Sequence, residues 1–234
     1  MKLDILAIGA HPDDVELGCG ATLAKEVSNG KKVGIIDLTR GELGTRGTAE
    51  TRDEESQEAA KILGIAMRTN MEFADGFFVN NKQHQIELIK QIRKYKPEIV
   101  LANSVSDRHP DHGRASSLVS RSAYLSGLAK IETKGMEAWR PKSVYHYIQD
   151  YYIKPDFVVD ISDHMNTKIK AIQAFKTQFF DPMSTEPETP ISGEDFFEFI
   201  RARGKEFGRQ AGYKYAEGFT TERFLGVQDI MTLD

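Results

Sequence analysis

Short apolar runs alternate with segments of helical character along the chain. Residues 3–9 and 32–38 are nearly continuous apolar runs, which are typical of strands buried on both faces of a parallel sheet. Residues 16–29, which stop before Gly30, and residues 84–96, with apolar side chains at helical spacing, are predicted helices. Further strands are predicted at residues 69–73, 98–103, 143–149 and 156–162. Further helices are predicted before Gly64, from about His112, across residues 165–179 and across residues 196–207.

This alternation of strands and helices predicts an α/β fold. We expect an open, mostly parallel, Rossmann-like sheet with helices on both faces, followed by a C-terminal elaboration in which the pattern is less regular. Residues 1–234 are predicted to form a single domain, with a core over residues 1–130 and the elaboration over residues 131–234. The polar, proline-rich residues 181–192 are predicted to be a surface loop or lid.

The charge of the chain is nearly balanced. There are 31 Lys and Arg residues against 35 Asp and Glu residues, which gives a formal net charge of −4. Such a surface has no broad basic face, so neither nucleic acid nor an anionic membrane is expected as a partner. No apolar run approaches the roughly 18 residues that a membrane span needs. Cys19 is the only cysteine, so no intramolecular disulfide can form, and a reducing compartment, the cytoplasm, is the expected location.

Two short polar segments carry most of the candidate chemistry. AHPDD at residues 10–14 and SDRHPDH at residues 106–112 each follow a predicted strand. Ligands of open α/β sheets bind beyond the carboxyl ends of the strands, so the fold is expected to bring both segments to one edge. Together the segments contain imidazoles and carboxylates from His11, His109, His112, Asp13, Asp14, Asp107 and Asp111.

These residue types are suited to binding a divalent metal. Two imidazoles and one carboxylate provide the nitrogen and oxygen ligands that an open metal site needs. Such a set holds zinc for hydrolysis or ferrous iron for oxygen chemistry, and ligand identity alone does not separate the two. In the alternative interpretation, the aspartates cap turns and helix starts, and the histidines are surface residues beside them.

Three ordered motifs resemble those of the PIG-L/LmbE family of zinc-dependent N-acetylglucosamine deacetylases. They are AHPDD at residues 10–14, TRGE at residues 39–42 after the second strand, and HPDH at residues 109–112 after the fourth. The resemblance is strong from residue 3 to about residue 120, and the order of elements is similar to the C-terminus. It implies a Zn²⁺ enzyme, with Fe²⁺ as an alternative in vivo, that acts on a small-molecule glycoside and forms a homo-oligomer, often a hexamer.

The resemblance also implies roles for individual residues. The implied zinc ligands are His11, Asp14 and His112. Asp13 is the implied general base, because zinc lowers the pKa of a bound water from ~15.7 to ~7 and a neighbouring carboxylate can take its proton and deliver it to the leaving amine. A protonated His109 is expected to stabilise the tetrahedral oxyanion, and Asp111 is expected to orient His109 and raise its pKa.

Residues that recognise the sugar are assigned on the same resemblance. Arg52 and Asp75 correspond to residues that hydrogen-bond the glucosamine hydroxyls, which suits the fixed donors of arginine and the acceptors of aspartate. In the alternative interpretation, Arg52 forms a solvated ion pair with Glu55 or Glu58 on its helix. Glu42 either lines the site or closes a turn.

Within the family, the chain is most similar to the enzymes that deacetylate N-acetylglucosaminyl-malate in bacillithiol synthesis. This similarity rests on Asp107-Arg108 and on Lys154-Pro155. The related mycothiol deacetylases usually carry a tyrosine at the position of Asp107, so no tyrosine role is carried over. Arg108 is expected to bind a malate carboxylate, because their charges are complementary.

Other functions are consistent with the same residues. A chitooligosaccharide deacetylase or a mycothiol-type conjugate amidase keeps the chemistry and changes the substrate. A ferrous oxygenase uses the same ligands but needs oxygen, and a non-catalytic metal- or sugar-binding module leaves Asp13 dispensable. Under the expected function, residues 1–130 hold the metal site, and residues 131–234 supply substrate and oligomer contacts.

Overall fold

The structure is a computed structural model that describes residues 1–232 of the chain. Its strands are β1 (Ile5–Gly9), β2 (Val33–Asp37), β3 (Met67–Asn70), β4 (Ile99–Ala102), β5 (Ser143–Tyr147), β6 (Phe157–Asp160) and β7 (Ala216–Thr221). Its α-helices are α1 (Asp14–Ser28), α2 (Ala49–Leu63), α3 (Lys82–Tyr95), α4 (Pro110–Ser126), α5 (Met165–Gln173) and α6 (Phe196–Gln210). A short 3-10 helix spans Ile230–Thr232.

The strands described within residues 1–232 form one seven-stranded sheet in the order β3-β2-β1-β4-β5-β7-β6. β1 to β5 run parallel to one another, whereas β7 is antiparallel to both β5 and β6. The chain moves from β1 outward to β3 and then crosses back to β4 on the other side of β1, so the strand order reverses there. The open, mostly parallel sheet predicted from the sequence is confirmed. The sequence pattern does not predict β7.

Helices cover both faces of the sheet because β1 and its neighbours are apolar on both faces. Ile5 and Ala7 of β1 pack in one apolar cluster with residues of α1, α2 and α5. Leu6 and Ile8 point the other way and pack in a second cluster with residues of α3 and α4. Fully burying one such leucine or isoleucine stabilises the fold by about 1.5–3 kcal/mol. The double-sided burial explains why β1 is a continuous apolar run.

Helix α1 is kinked, and a buried ion pair supports it at the kink. Cys19 has non-helical angles (φ −143, ψ 16), so the helix effectively restarts after it. The backbone N–H groups of Ala21 and Thr22 donate to the Glu217 carboxylate at 3.1 and 2.7 Å. Lys168 Nζ lies 2.6 Å from the same carboxylate, and both charged side chains are buried. Glu217 of β7 therefore caps the second half of α1 and joins it to α5.

Close contact between α1 and β5 depends on Gly18. A Cβ atom at this position would lie 2.0 Å from Cδ2 of Tyr147, so any side chain here would force a shift. Tyr147 is fully buried, and its hydroxyl donates to the carbonyl oxygen of Ile8 at 3.1 Å. Gly18 thus lets the start of α1, which carries Asp14, lie directly against the sheet.

The C-terminal half departs from the predicted helix boundaries. The helix predicted across residues 165–179 ends at Gln173, although Phe175 and Phe179 remain buried in the same apolar cluster. Residues 181–192 contain neither helix nor strand, and several of them line a crevice at the carboxyl edge of the sheet. None of the helices within the described range is long and apolar enough to cross a membrane.

Candidate metal centre and substrate cavity

Two loops meet at the carboxyl edge of the sheet because β1 and β4 are adjacent. The loop after β1 carries His11, and the segment after β4 leads into α4, where His112 lies in the first turn. The ring centroids of His11 and His112 are 5.7 Å apart, and those of His11 and His109 are 4.6 Å apart. The geometry expected from the strand-end rule is therefore present.

The donor atoms at this edge fit a divalent cation. His11, His109 and His112 each offer a ring nitrogen, and the three nitrogens lie within 4.8 Å of one another. Asp14 places Oδ1 3.0 Å from Nε2 of His112 and Oδ2 3.5 Å from Nδ1 of His11. Mixed imidazole and carboxylate donors are what zinc and ferrous iron prefer in proteins. The residues present thus form a candidate metal centre.

Asp14 is held by amide groups that the sequence analysis did not single out. Asn103, directly after β4, donates Nδ2 to Oδ2 of Asp14 at 3.0 Å. Gln149 donates Nε2 to Oδ1 of Asp14 at 2.9 Å. Burial would raise the pKa of Asp14, but the adjacent His112 and His11 outweigh it and hold the pKa well below its usual value. Asp14 is therefore a fixed, ionised carboxylate.

His112 is oriented by a buried carboxylate behind it. Oδ2 of Asp107 lies 2.8 Å from Nδ1 of His112. The same carboxylate accepts backbone N–H bonds from Tyr151 and Arg108, both at 2.8 Å. With its proton on Nδ1, His112 has Nε2 free for a cation, which is the usual partnership of a ligating histidine and a carboxylate. Asp107 was counted in the cluster, but the sequence indicated no such role.

Asp13 lies next to this centre in a strained conformation. Its φ of 110° is in the left-handed region, which costs a non-glycine residue about 1–3 kcal/mol and is common at functional sites. Arg52 donates Nη2 to Oδ2 of Asp13 at 3.1 Å and also bonds the carbonyl oxygens of Pro12 and Gly41. Burial raises the pKa of Asp13 to about 7, although the Arg52 charge opposes the shift. Arg52 is thus a partner of Asp13 and not of a glutamate on its own helix.

His109 lies half-buried beside the rings of His11 and His112. Burial lowers its pKa, and the charges of His11 and His112 lower it further. Its Nδ1 accepts the backbone N–H of Asp111 at 3.3 Å, so the neutral ring carries its proton on Nε2. The protonated form of His109 therefore stays a prediction, and Nε2–H is available as a donor in the neutral ring as well.

The Asp111 carboxylate has partners other than the His109 ring. Oδ2 accepts the backbone N–H of Gly76 at 2.9 Å, and Oδ1 binds Nη1 of Arg114 at 2.5 Å. The charge of Asp111 does favour a higher pKa for His109, but it is outweighed. The expected side-chain contact that orients His109 is replaced by the backbone contact of Asp111.

Asp75 contacts the metal centre from the loop after β3. Its Oδ1 lies 3.1 Å from Nε2 of His11, and its Oδ2 accepts the backbone N–H of Leu43 at 3.0 Å. Burial would raise the pKa of Asp75, but the bond to His11 and its charge lower it to about 2. Glu42 is exposed and accepts the backbone N–H of Asp75 at 2.8 Å, so it positions Asp75. Oxygens of Asp75 and Asp111 also lie within 4.8 Å of a His11 nitrogen and of each other.

A cavity of about 400 Å³ opens beside these residues. One wall is formed by the metal centre, and another by Thr189 and Ile191 of the 181–192 segment with Phe199 of α6. Arg108 is half-exposed on the cavity wall, where its Nε is bonded to the Asp150 carboxylate. Cavities of a few hundred Å³ with a few convergent polar groups are typical small-molecule sites.

A parallel-sheet edge with imidazole and carboxylate donors beside a cavity identifies an α/β protein with a candidate metal centre. The family model for PIG-L, GlcNAc-PI de-N-acetylase, matches residues 6–123. The chain belongs to this family.

Individual relatives agree with the family assignment. The chain is 30% identical to the diacetylchitobiose deacetylase of Thermococcus kodakarensis, over 92% of this chain and 81% of the relative. Among solved structures, it is similar to the conserved protein TT1542 from Thermus thermophilus, with a TM-score of 0.87, 36% identity and coverage of 97% and 98% of the two chains. It is also similar to the N,N'-diacetylchitobiose deacetylase of Pyrococcus horikoshii, with a TM-score of 0.79, 28% identity and coverage of 92% and 82%.

Proposed function

We propose that the chain is a metal-dependent deacetylase that hydrolyses the acetamide of an N-acetylglucosaminyl glycoside. The observation that carries the proposal is the meeting of His11, Asp14 and His112 beside the strained, buried Asp13 at one cavity. Family membership and the two diacetylchitobiose deacetylases support deacetylation as the reaction.

We assign His11, Asp14 and His112 as the metal ligands. Zinc is the proposed cation, and ferrous iron fits the same donors. When bound, a divalent cation supplies Lewis acidity, which polarises the acetamide carbonyl and eases deprotonation of water near neutral pH. Asp107, Asn103 and Gln149 fix the ligands before substrate arrives.

Asp13 is the proposed general base. A carboxylate with a pKa of about 7 can both accept a proton from the attacking water and return it to the leaving amine near neutral pH. Arg52 holds the Asp13 carboxylate in place at 3.1 Å. His109 is proposed to donate its Nε2–H to the oxyanion that forms when water adds to the acetamide, and Asp111 supports His109 through its backbone N–H.

Arg52 and Asp75 are the proposed contacts to the sugar hydroxyls. Both line the cavity, and Nε of Arg52 is buried without a hydrogen-bond partner in the part of the chain that the structure describes. Glu42 supports this role indirectly, through the backbone of Asp75.

For the group attached to the sugar, we propose malate, so that the product pair is glucosaminyl-malate and acetate in bacillithiol synthesis. The sequence similarity around Asp107-Arg108 supports this substrate. A chitooligosaccharide is the second candidate, and the diacetylchitobiose deacetylases among the relatives favour it. A mycothiol-type conjugate is a third, since a mycothiol S-conjugate amidase of Streptomyces coelicolor is also a relative, 30% identical over 47% of this chain and 48% of the relative.

The test is a panel of N-acetylglucosaminides that differ at the anomeric carbon, assayed for released amine with the metal content measured. We expect turnover of one class, with no need for oxygen. An Asp13→Asn variant should keep its metal and lose about 10²–10⁴-fold in rate. Turnover of none of the glycosides by metal-loaded protein would exclude the proposal, and full activity of Asp13→Asn would remove Asp13 as the base.

We also propose that the chain works as a single domain in the cytoplasm and as a homo-oligomer, with a hexamer as the specific expectation. Apolar side chains exposed near the C-terminus, Phe224, Ile230 and Met231, support self-association. The mass of the protein in solution, measured by light scattering, tests the oligomer, and a monomer at micromolar concentration would contradict it.

A further inference from the structure

Arg46 differs from the other arginines that line the cavity. Arg52 and Arg108 are each bonded to a carboxylate, Asp13 and Asp150 respectively. The Arg46 side chain is only 4% exposed, and its Nε has no hydrogen-bond partner within residues 1–232. Leaving a buried charged donor unpaired is costly, so such a group is expected to meet a ligand.

The carboxylate nearest to Arg46 offsets the positive charge of Arg46 only weakly. Oε2 of Glu186 lies 3.5 Å from Nε of Arg46, and the Glu186 side chain is 41% exposed. Both Glu186 oxygens also accept the backbone N–H of Gly47, at 3.0 and 3.2 Å. Solvent therefore screens most of the attraction, and an anion inside the cavity would pair with Arg46 more strongly.

Arg46 contacts the segment predicted to be a surface loop or lid, residues 181–192, here called the lid segment. Nη2 of Arg46 donates to Oγ of Ser184 at 2.7 Å, and its carbonyl oxygen accepts from Gln178 at 2.7 Å. Thr189 lines the same cavity, and its Oγ1 is also buried and lacks a partner among the described residues. Arg46 and Thr189 thus line the cavity, and neither is assigned to the acetamide or to the sugar.

We propose that Arg46 and Thr189 form a subsite for a carboxylate carried by the group attached to the sugar. The inference rests on the proposed deacetylase function and deepens it. Guanidinium groups recognise carboxylates through charge-assisted hydrogen bonds, and a threonine hydroxyl adds a donor to the same anion. Arg108 is less suited to this role, because its Nε is already bonded to Asp150 and the side chain is 44% exposed.

The experiment compares two glycosides in wild-type protein and in Arg46→Gln. One is N-acetylglucosaminyl-malate, and the other is methyl N-acetylglucosaminide, which has no carboxylate. We expect Arg46→Gln to raise KM at least tenfold for the malate glycoside and less than twofold for the methyl glycoside, with Arg46→Lys intermediate. Arg40→Gln is the matched control, since Arg40 lies in the same loop but pairs with Asp53 outside the cavity. The Arg40→Gln variant should leave the KM for both glycosides unchanged.

Two variants separate recognition from lid anchoring. Ser184→Ala removes the lid bond of Arg46 and keeps its charge, so it should not discriminate between the two glycosides. If Arg46→Gln raises KM equally for both glycosides, the subsite is overturned, and Arg46 only anchors the lid segment. If Arg108→Gln raises KM for the malate glycoside alone and Arg46→Gln does not, Arg46 is excluded and Arg108 is the residue that binds the carboxylate.

Binding provides a readout that needs no turnover. Metal-loaded Asp13→Asn protein is titrated calorimetrically with both glycosides, with and without Arg46→Gln. If Arg46→Gln weakens binding of the malate glycoside and not of the methyl glycoside, the subsite is supported even if the reaction differs from the one proposed. Turnover of methyl glycosides with no preference for the carboxylate would overturn the subsite alone, whereas binding without any turnover in wild-type protein would overturn the proposed function alone.

Discussion

Replacing Asp107 by asparagine tests how the fold prepares His112 for a cation. Asparagine keeps one carbonyl oxygen, which can still accept the backbone N–H groups of Tyr151 and Arg108. Its NH₂ group cannot accept the Nδ1–H of His112, which lies 2.8 Å from Asp107. The ring then tends to carry its proton on Nε2, the atom that faces Asp14 and the metal centre.

The expected cost falls on metal affinity more than on stability. Loss of a carboxylate behind a ligating histidine typically weakens metal binding by about 10–100-fold, which equals roughly 1.4–2.7 kcal/mol. The fold loses the bond to His112 and the long 3.4 Å bond from the Asp150 backbone N–H to the same oxygen, about 1–2 kcal/mol together, which lowers the melting temperature of a chain of this size by about 2–8 °C.

The assay is competition for Zn²⁺ against a chromophoric chelator, with thermal melting of the metal-free protein as the measure of folding. Asp150→Asn is the matched control, because Asp150 lies beside the same loop but bonds Arg108 and not a histidine. Metal affinity of Asp107→Asn within twofold of wild type would refute the reasoning. So would a fall in affinity that Asp150→Asn reproduces.

Three further perturbations follow from the structure. Gly18→Ala forces a Cβ into the buried ring of Tyr147 and should destabilise the fold by about 1–3 kcal/mol in urea unfolding; unchanged stability would contradict the close contact. Lys168→Met leaves Glu217 charged and buried and should cost about 3–5 kcal/mol, whereas adding Glu217→Gln should recover part of the loss; additive losses would contradict a coupled pair. Dialysis against a chelator should abolish deacetylation and Zn²⁺ should restore it, so a rate unaffected by metal removal would exclude metal dependence.

The parts of the fold that follow local rules could be predicted from the sequence. The continuous apolar run of β1 predicts burial on both faces, and the structure shows Ile5 and Leu6 in different apolar clusters. The carboxyl-edge rule brings His11 and His112 together from the order of strands alone. These predictions needed only periodicity and topology.

Residues whose roles depend on distant partners escaped prediction. Gln149 acts on Asp14 across 135 residues of sequence, and Asn103 across 89. An amide carries no local signal that distinguishes such a role from a surface position. β7 escaped for a related reason: its buried Glu217 and Gly218 interrupt the apolar pattern, and their environments come from α1, α5 and α6.

The capping of α1 by Glu217 also bears on the order in which the molecule is completed. The carboxylate that satisfies the kinked helix is encoded 196 residues after Ala21, near the end of the chain. A growing polypeptide that has only its first half cannot close this contact, so the part of α1 that follows the kink at Cys19 stays uncapped until β7 has been made. The candidate metal centre is also incomplete in the first half alone, because Gln149, which donates to Oδ1 of Asp14, is encoded later.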